Sequence, residues 1–567
     1  MPARWVCVCI TTVLLSAAML NADTIPGGYV SGTWLADSTY WITGDITVPI
    51  DSTLTIEPGV QVIFCGPYRL TVSGQLQATG TETDSIDFVP ADTLTPWRGI
   101  FFNGSNNGLS YCNIRYVELT TGWGAAIECN NSISTISHCT ISDNYGRSGG
   151  ISARDYSSLT VSSCTIIRNR AITYGGGIYI RQYSSLDISN SLIDTNAAIS
   201  TPYGGGGIYV DSLCSLVVSN CTISNNTAMY TSDPSGGGIA ARVSNVSISG
   251  SVFMNNTADW DGGGIWLASC QGSIADCYFG ENTVGSNRGH GIYITNSSPL
   301  ISHCVFSDNG FIGGIGGGIY VGDNSNPTID HCDFFRNYSG TQTGGGIHIS
   351  SLGSMTLSNT IFQENAWYNV YFASGSSSAI SYNDFLLLSG LANFGGTVPS
   401  GLGVLTQTNI NGDSCDADFN IFLDPMFENP LSGNFNLQSQ SPCIDAGDPL
   451  YPLDPDSTIT DMGAFYFDQV GIEEVSIARS ASCYGLSCSP NPCNTVTRIS
   501  FGLLEAARIN LSIYDIAGRL VTTLIDGKYE PGIHELTFDT EALATGIYFN
   551  RLTSSGETQT GKLVLMK

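Results

Sequence analysis

The chain has 567 residues, of which 66 are glycine, 42% are hydrophobic and only 12% are charged. That hydrophobic content is too high for a disordered chain, and short apolar runs broken by Gly, Ser and Asn describe a β protein rich in turns. A formal charge of −28 excludes nucleic acid and anionic membrane as partners, since both are recognised through basic patches, and the three lysines (Lys528, Lys562, Lys567) all lie near the C-terminus.

At the N-terminus, Arg4, the apolar stretch Trp5–Leu20 and Ala22 read as an export signal over residues 1–22. The stretch is short for a membrane span and no later one is longer, so the expectation is an exported chain that is not an integral membrane protein. Residues 23–110 carry short strands such as Thr53–Ile56, Val60–Phe64 and Leu70–Val72, parted by turn pairs such as Pro58-Gly59. This segment supplies an N-terminal cap and the first coils of a stack.

Residues 111–385 are a repeat. The motif Tyr174-Gly-Gly-Gly-Ile-Tyr-Ile180 returns with its isoleucine at 151, 178, 208, 239, 265, 292, 319 and 347, at spacings of 26 to 31 residues. Each copy holds a GGGI strand, a polar turn, a second strand such as Leu159-Thr-Val161, then Cys-x-apolar and Asn. Three short strands per period, with no helical pattern between them, make one coil of a parallel stack in which each slot lies over itself. Cys139, Cys164, Cys221, Cys277, Cys304 and Cys332 alternate in phase with inward isoleucines, so they are expected as buried free thiols rather than disulfides. The residue before each cysteine slot is usually Asn, Asp, Gly, Ser or His, which marks a tight left-handed bend. His303 and His331 fall there on neighbouring coils, where a metal pair is the alternative to the bend. Asn169, Asn196, Asn282, Asn309, Asn337 and Asn365 form an amide ladder at another corner.

If Ile178 and Ile180 point inward, Tyr179 points outward. The equivalent positions are Tyr209, Trp266, Tyr293, Tyr320 and His348, and the preceding loops add aromatics such as Tyr174 and Trp260. Two readings stand: a row on which sugar rings stack, or loop and strand aromatics packed on each other.

The motifs Gly32-Thr-Trp34, Leu54-Thr-Ile-Glu-Pro-Gly59 and Trp97-Arg-Gly-Ile100 resemble the first rungs of secreted, pectate-lyase-like right-handed parallel β-helix proteins. The resemblance implies an all-β fold, a β-helix of about twelve to fourteen coils. It also raises two enzymes. A lyase needs Arg or Lys as base and acids holding Ca²⁺; Arg147, Arg154, Arg168, Arg170 and Arg181 cluster in the early coils, with Arg168 and Arg170 the candidates. A polygalacturonase needs paired carboxylates. Gly289-His-Gly291 matches a motif of that family, with Asp259 and Asp261 one coil earlier, but its Arg-x-Lys and Asn-x-Asp are absent. His290 also occupies the middle slot of a repeated glycine triplet, which favours a non-catalytic chain.

Residues 386–470 lose the period and resemble the terminal section of bacterial surface β-helix proteins, through Asp424-Pro-Met-Phe427, Phe435-Asn-Leu437, Ser441-Pro-Cys-Ile-Asp-Ala-Gly447 and Asp461-Met-Gly-Ala-Phe-Tyr466. Cys415 and Cys443 could be bridged there. Asp454, Asp456 and Asp461 read either as Ca²⁺ ligands or as solvated turn acids; no other cofactor is expected. After a linker at 471–485, residues 486–567 alternate apolar strands and turns as a small Ig-like β-sandwich. Ser489-Pro-Asn-Pro-Cys493, Ile509-Asn-Leu-Ser-Ile-Tyr-Asp-Ile-Ala-Gly518 and Gly561-Lys-Leu-Val-Leu-Met-Lys567 resemble the type IX secretion sorting domain, with Cys493 where Phe is usual. A local bridge between Cys483 and Cys488 is a further reading. The resemblance implies the secretion machinery as a partner and delivery to the cell surface or the medium. The expected function is an adhesin-like protein binding polysaccharide or a cell surface; the alternatives are a lyase or hydrolase of a pectin-like polymer in the groove, and a structural stalk.

Overall fold

The computed structural model describes residues 22–469 and 483–565, apart from loop residues 123, 200–203, 230–234, 286, 312, 341 and 388–391 and the turns at 490–495, 504–505, 516–518, 530–531, 541–542, 544–545 and 555–556. The export signal, Cys493 and most of the linker lie outside the described residues.

Three parallel sheets wind around one core. The first and second sheets have 15 strands and the third has 14, so fourteen coils carry all three strands and a fifteenth carries two. The first sheet runs from Ala22–Ile25 to Asp384–Leu386 and contains the strands that follow the cysteine slot. The second contains the GGGI strands, such as Ile178–Arg181 and Ile208–Asp211, and the third contains strands such as Ser158–Ser162. Residues before 111 belong to the same stack, beginning with Ala22–Ile25 paired to Thr39–Ile42. A fourth ladder of seven two-residue strands, from Glu118–Leu119 to Thr283–Val284, runs beside the glycine loops.

The coil is closed by left-handed corners. Positive φ falls on Tyr111, His138, Ser163, Asn190, Asn220, Gly250, Asp276, His303, His331, Asn359 and Tyr382, the residues that precede the cysteine slot. Behind that bend the thiols are buried and free, and Cys139 N–H donates to Cys164 Sγ at 3.4 Å while Cys164 N–H donates to Ser191 Oγ at 3.0 Å. At the next corner each buried Asn donates to the carboxamide oxygen one coil on, as Asn226 does to Asn256 at 3.1 Å and Asn256 to Asn282 at 3.0 Å. Inside, the GGGI isoleucines are fully buried, and Phe253, Phe279, Phe306, Phe334, Phe362 and Phe385 stack with centroids 4.7 to 4.9 Å apart. That spacing is the interstrand distance of a sheet.

The terminal section does two jobs. Ile421 extends the first sheet beside Asp384, and Phe394, Leu402 and Phe422 close the end of the core. Residues 426–467 then fold back over the outward face of the first sheet, where Phe427, Phe435, Leu437 and Met462 pack on Val305, Phe335 and Ile361. Cys415 and Cys443 are both free thiols, which removes the expected bridge. Residues 483–565 form antiparallel sheets of three and four strands around Ile499, Phe501, Leu511, Ile513, Leu552 and Leu563; the side chains of Cys483 and Cys488 are outside the described set.

Candidate ligand-binding cleft

The outward aromatic row is not a platform. Tyr179, Tyr209, Trp266, Tyr293, Tyr320 and His348 are 1 to 8% exposed, and Trp260 is half-buried. The reason lies in the glycines. The first glycine of a run rests on the carbonyl oxygen of the isoleucine three residues on, as Gly205 does on Ile208 and Gly236 on Ile239, an approach that any β-carbon would block. The chain therefore turns tightly into each of these strands, and the described residues that precede it, Tyr174 and Arg288, lie over the rings. Tyr174 stacks on Tyr179 at 4.3 Å, and Tyr320, His348 and Tyr371 stack in series at 5.1 and 4.8 Å. Burial first, then the Arg288 charge, lowers the pKa of His348 to about 4.

The hydrolase candidates are not brought together either. His290 is fully buried, and burial lowers its pKa to about 3. Its Nδ1 accepts the amide of Val284 at 3.0 Å. Val284 ends the fourth ladder, so the imidazole takes the place of the next strand. Asp261 is buried and holds Arg288 through the amide (3.1 Å), Nε (3.2 Å) and Nη2 (2.9 Å); that guanidinium lies over Tyr293 and Tyr320. Asp259 is exposed, outside this pair. Arg168 is exposed and clasps Asp143 from Nε (2.7 Å) and Nη2 (2.8 Å), and Arg170 is an exposed residue of the fourth ladder. Arg154 sits at a different corner with Glu128. Arg168 and Arg154 thus form ion pairs at separate corners, and Arg147 donates to the carbonyl of Gly122.

A cleft of about 310 Å³ lies elsewhere, between the first sheet and the segment folded over it. Its floor is Tyr278 and Val305 with the bend residues Asp276, His303 and His331; its walls are Asn436, Asp454, Pro455, Asp461 and Gly463 to Tyr466. The bend slot places the two histidines on adjacent coils, ring on ring at 5.0 Å and 6°. His331 is fixed, with Nδ1 to Asp330 Oδ2 at 2.9 Å and Nε2 to Thr460 Oγ1 at 2.8 Å. Burial tends to raise the Asp330 pKa, but the His331 contact and two amide and hydroxyl donors bring it down to about 2. Among the described residues the ring nitrogens of His303 have no hydrogen-bond partner. Burial first, then the neighbouring His331, lowers its pKa, so it stands neutral as one donor and one acceptor.

The three acids read as Ca²⁺ ligands or turn acids accept hydrogen bonds from their own segment, and Asp454 and Asp461 line the wall. Asp454 accepts from Asp461 N–H (2.9 Å) and Thr460 Oγ1 (3.2 Å), Asp456 from Thr458 N–H (3.1 Å) and Gln469 N–H (3.0 Å), and Asp461 from Asp445 N–H (2.7 Å) and Phe467 N–H (2.6 Å). Burial raises the Asp461 pKa to about 7 despite those amides. Among the described residues no group of three His, Cys, Asp or Glu side chains is arranged to hold a metal ion, and the stacked histidines are held by the bend, Asp330 and Thr460. Sequence reasoning had the bend histidines and the acids, but as separate features. What joins them is the return of residues 426–467 onto the first sheet, for which the aperiodic terminal section carries no repeat signal.

A coil of three parallel sheets with stacked Asn, thiol and Phe ladders defines the class as a right-handed β-solenoid. The right handed beta helix region family matches residues 95–253 and 236–397, just over half of the chain, and the protein belongs to that family. Residues 487–566 match the secretion system C-terminal sorting domain, which indicates export by the type IX route to the cell surface or the extracellular space. No curated protein matches the chain. No helix among the described residues is long and apolar enough to cross a membrane.

Proposed function

We propose that this exported β-helix protein binds a saccharide in the cleft between the first sheet and residues 426–467, as part of an adhesin-like role at a surface. The observation that supports it is the neutral, unpartnered His303 at the floor of a cavity near the lower end of small-ligand pockets, which run from about 300 Å³. Aromatic faces from Tyr278, Phe465 and Tyr466 suit the apolar side of a sugar ring, and Asn436, Asp276 and His303 suit its hydroxyls. Hydrolysis is the weaker reading, because both oxygens of Asp461 are occupied by backbone amides that shape the wall.

A glycan array followed by calorimetry on the full chain tests this. His303→Phe keeps a ring to stack on His331 and removes the hydrogen-bonding nitrogens. It is expected to weaken a bound saccharide by about tenfold, the usual worth of one hydrogen bond at about 1.4 kcal/mol. Unchanged affinity in the folded variant, or no binding to any glycan by the wild type, would remove the reading.

A further inference from the structure

Two carboxyl groups lie in the contact between the first sheet and the segment folded over it, and neither belongs to the cleft lining. Asp333 is registered between Val305 and Ile361, and Asp384 follows Ile361 on the next coil and sits beside Ile421. Both alternate with inward phenylalanines, Phe334 and Phe385, so both face outward, under the cover. Both are 0% exposed, amid Val305, Ile361, Phe427, Phe435 and Met462. Asp384 accepts Leu423 N–H at 3.0 Å and the Cys443 thiol at 3.4 Å. Asp333 faces the Ala464 amide without a well-formed hydrogen bond. Among the described residues no arginine or lysine pairs with either group. From the cover, the ionisable neighbours are Cys443 for both and Asp424 for Asp384; Asp454 and Asp461 line the cleft, with Asp445 beside Asp461. From the sheet, His331 is engaged by Asp330 and Thr460, His303 stacks on it, and Arg336 pairs with Asp308, so among the described residues none of them pairs with either carboxyl. A carboxylate buried in such a setting without a counter-charge is costly, whereas the acid is tolerated.

We propose that residues 426–467 are a proton-controlled cover, closed over the first sheet while Asp333 and Asp384 carry their protons and lifting as those groups ionise. Because the cleft exists only between cover and sheet, the cover gates the site, and this part of the proposal rests on the binding reading above. Burial holds both carboxyls above the ordinary range, Asp384 to about 7. In the open state they ionise near pH 4. Closure therefore takes up protons, is strongest below about pH 4, and weakens as pH rises from there towards and past neutrality.

Hydrogen exchange of the full chain, without ligand and corrected for intrinsic rates, reads this directly. Between pH 5.5 and 8 the opening equilibrium of peptides from 427–467 is expected to rise about tenfold or more, with inner strands of the coils as the reference. The variant Asp333→Asn/Asp384→Asn, uncharged at both positions at every pH, is expected to reduce that slope, leaving the part Asp461 contributes, and to favour the closed cover at pH 8; Asp384→Asn alone reduces it less if the double variant does not fold. A flat wild-type profile, or an unchanged slope in a folded Asn variant, would overturn the proposal. Glycan binding that persists above a flat profile would remove the gate and spare the site; a pH-dependent cover with no glycan bound would do the reverse.

Discussion

The second sheet from Glu128 to His348 and the last coils of the first sheet, from Val305 to Asp384, both have buried outward faces, but they are covered by opposite means. On the second sheet the rings stack from coil to coil, and the cover comes from the coil's own entry to the strand, as with Tyr174 and Arg288. On the first sheet the cover is a separate segment from the terminal section of the β-helix, and it covers carboxyls that no cation among the described residues pairs with. Local cover is repeated and closes by backbone contact; distant cover is unique and leaves a cavity. The difference teaches where in a solenoid function has room: at the place where the repeat is interrupted by something that is not a repeat.

The comparison breaks most severely if the shared core is broken. Phe306 sits in the middle of the phenylalanine stack, with neighbours 4.8 and 4.7 Å away, and cannot be replaced by movement of a rigid coil. Phe306→Ala is expected to cost about 4 kcal/mol, measured by urea unfolding. Both faces should loosen together, because both rest on that coil.

The two faces also differ in the sign of their pH dependence. His348 on the second sheet is held neutral, below its unfolded value of about 6.5. Its contribution is whole above that value and is lost as pH falls towards about 4. The first-sheet carboxyls do the reverse, since their raised values favour the closed state in acid. His348→Tyr, which matches Tyr320 and Tyr371 on either side, is expected to recover on the order of 2 kcal/mol of stability at pH 4 and little at pH 8. Unfolding midpoints at the two pH values check it. Equal shifts at both would mean that the change acts through packing and not through the proton.

Much of the fold was legible because the same slot recurs on every coil. A bend residue before the cysteine slot, an Asn one corner later and an isoleucine after the glycines each carry their reason locally: left-handed φ, a self-pairing carboxamide, a central core. The outward row was legible as a position but not as a surface, because alternation says which way Tyr179 points and not what lies over it. The site was less legible still. His303 and His331 could be placed on adjacent coils, and Asp454 and Asp461 in a turn, but the long-range return that brings them around one cavity joins positions more than 120 residues apart, as the His331–Thr460 bond shows. His290 illustrates the opposite error: a motif-like triplet whose imidazole ends a ladder by accepting one amide.

The smallest expected effect concerns the arginines that suggested a lyase. Arg168 keeps 54% of its side chain exposed while it clasps Asp143. The pair lies at the Asn corner, next to Asn169, whose own bonds run along the interior ladder and do not depend on it. An exposed ion pair is screened by water and salt, so Arg168→Ala should lower stability by no more than about 0.5 kcal/mol. Saccharide affinity, read by calorimetry, should not change, because the cleft lies several coils away at Asp276, His303 and His331. A large loss of stability would mean that the corner pair braces the coil; a loss of affinity with stability intact would return the ligand to the early coils and away from the terminal cover.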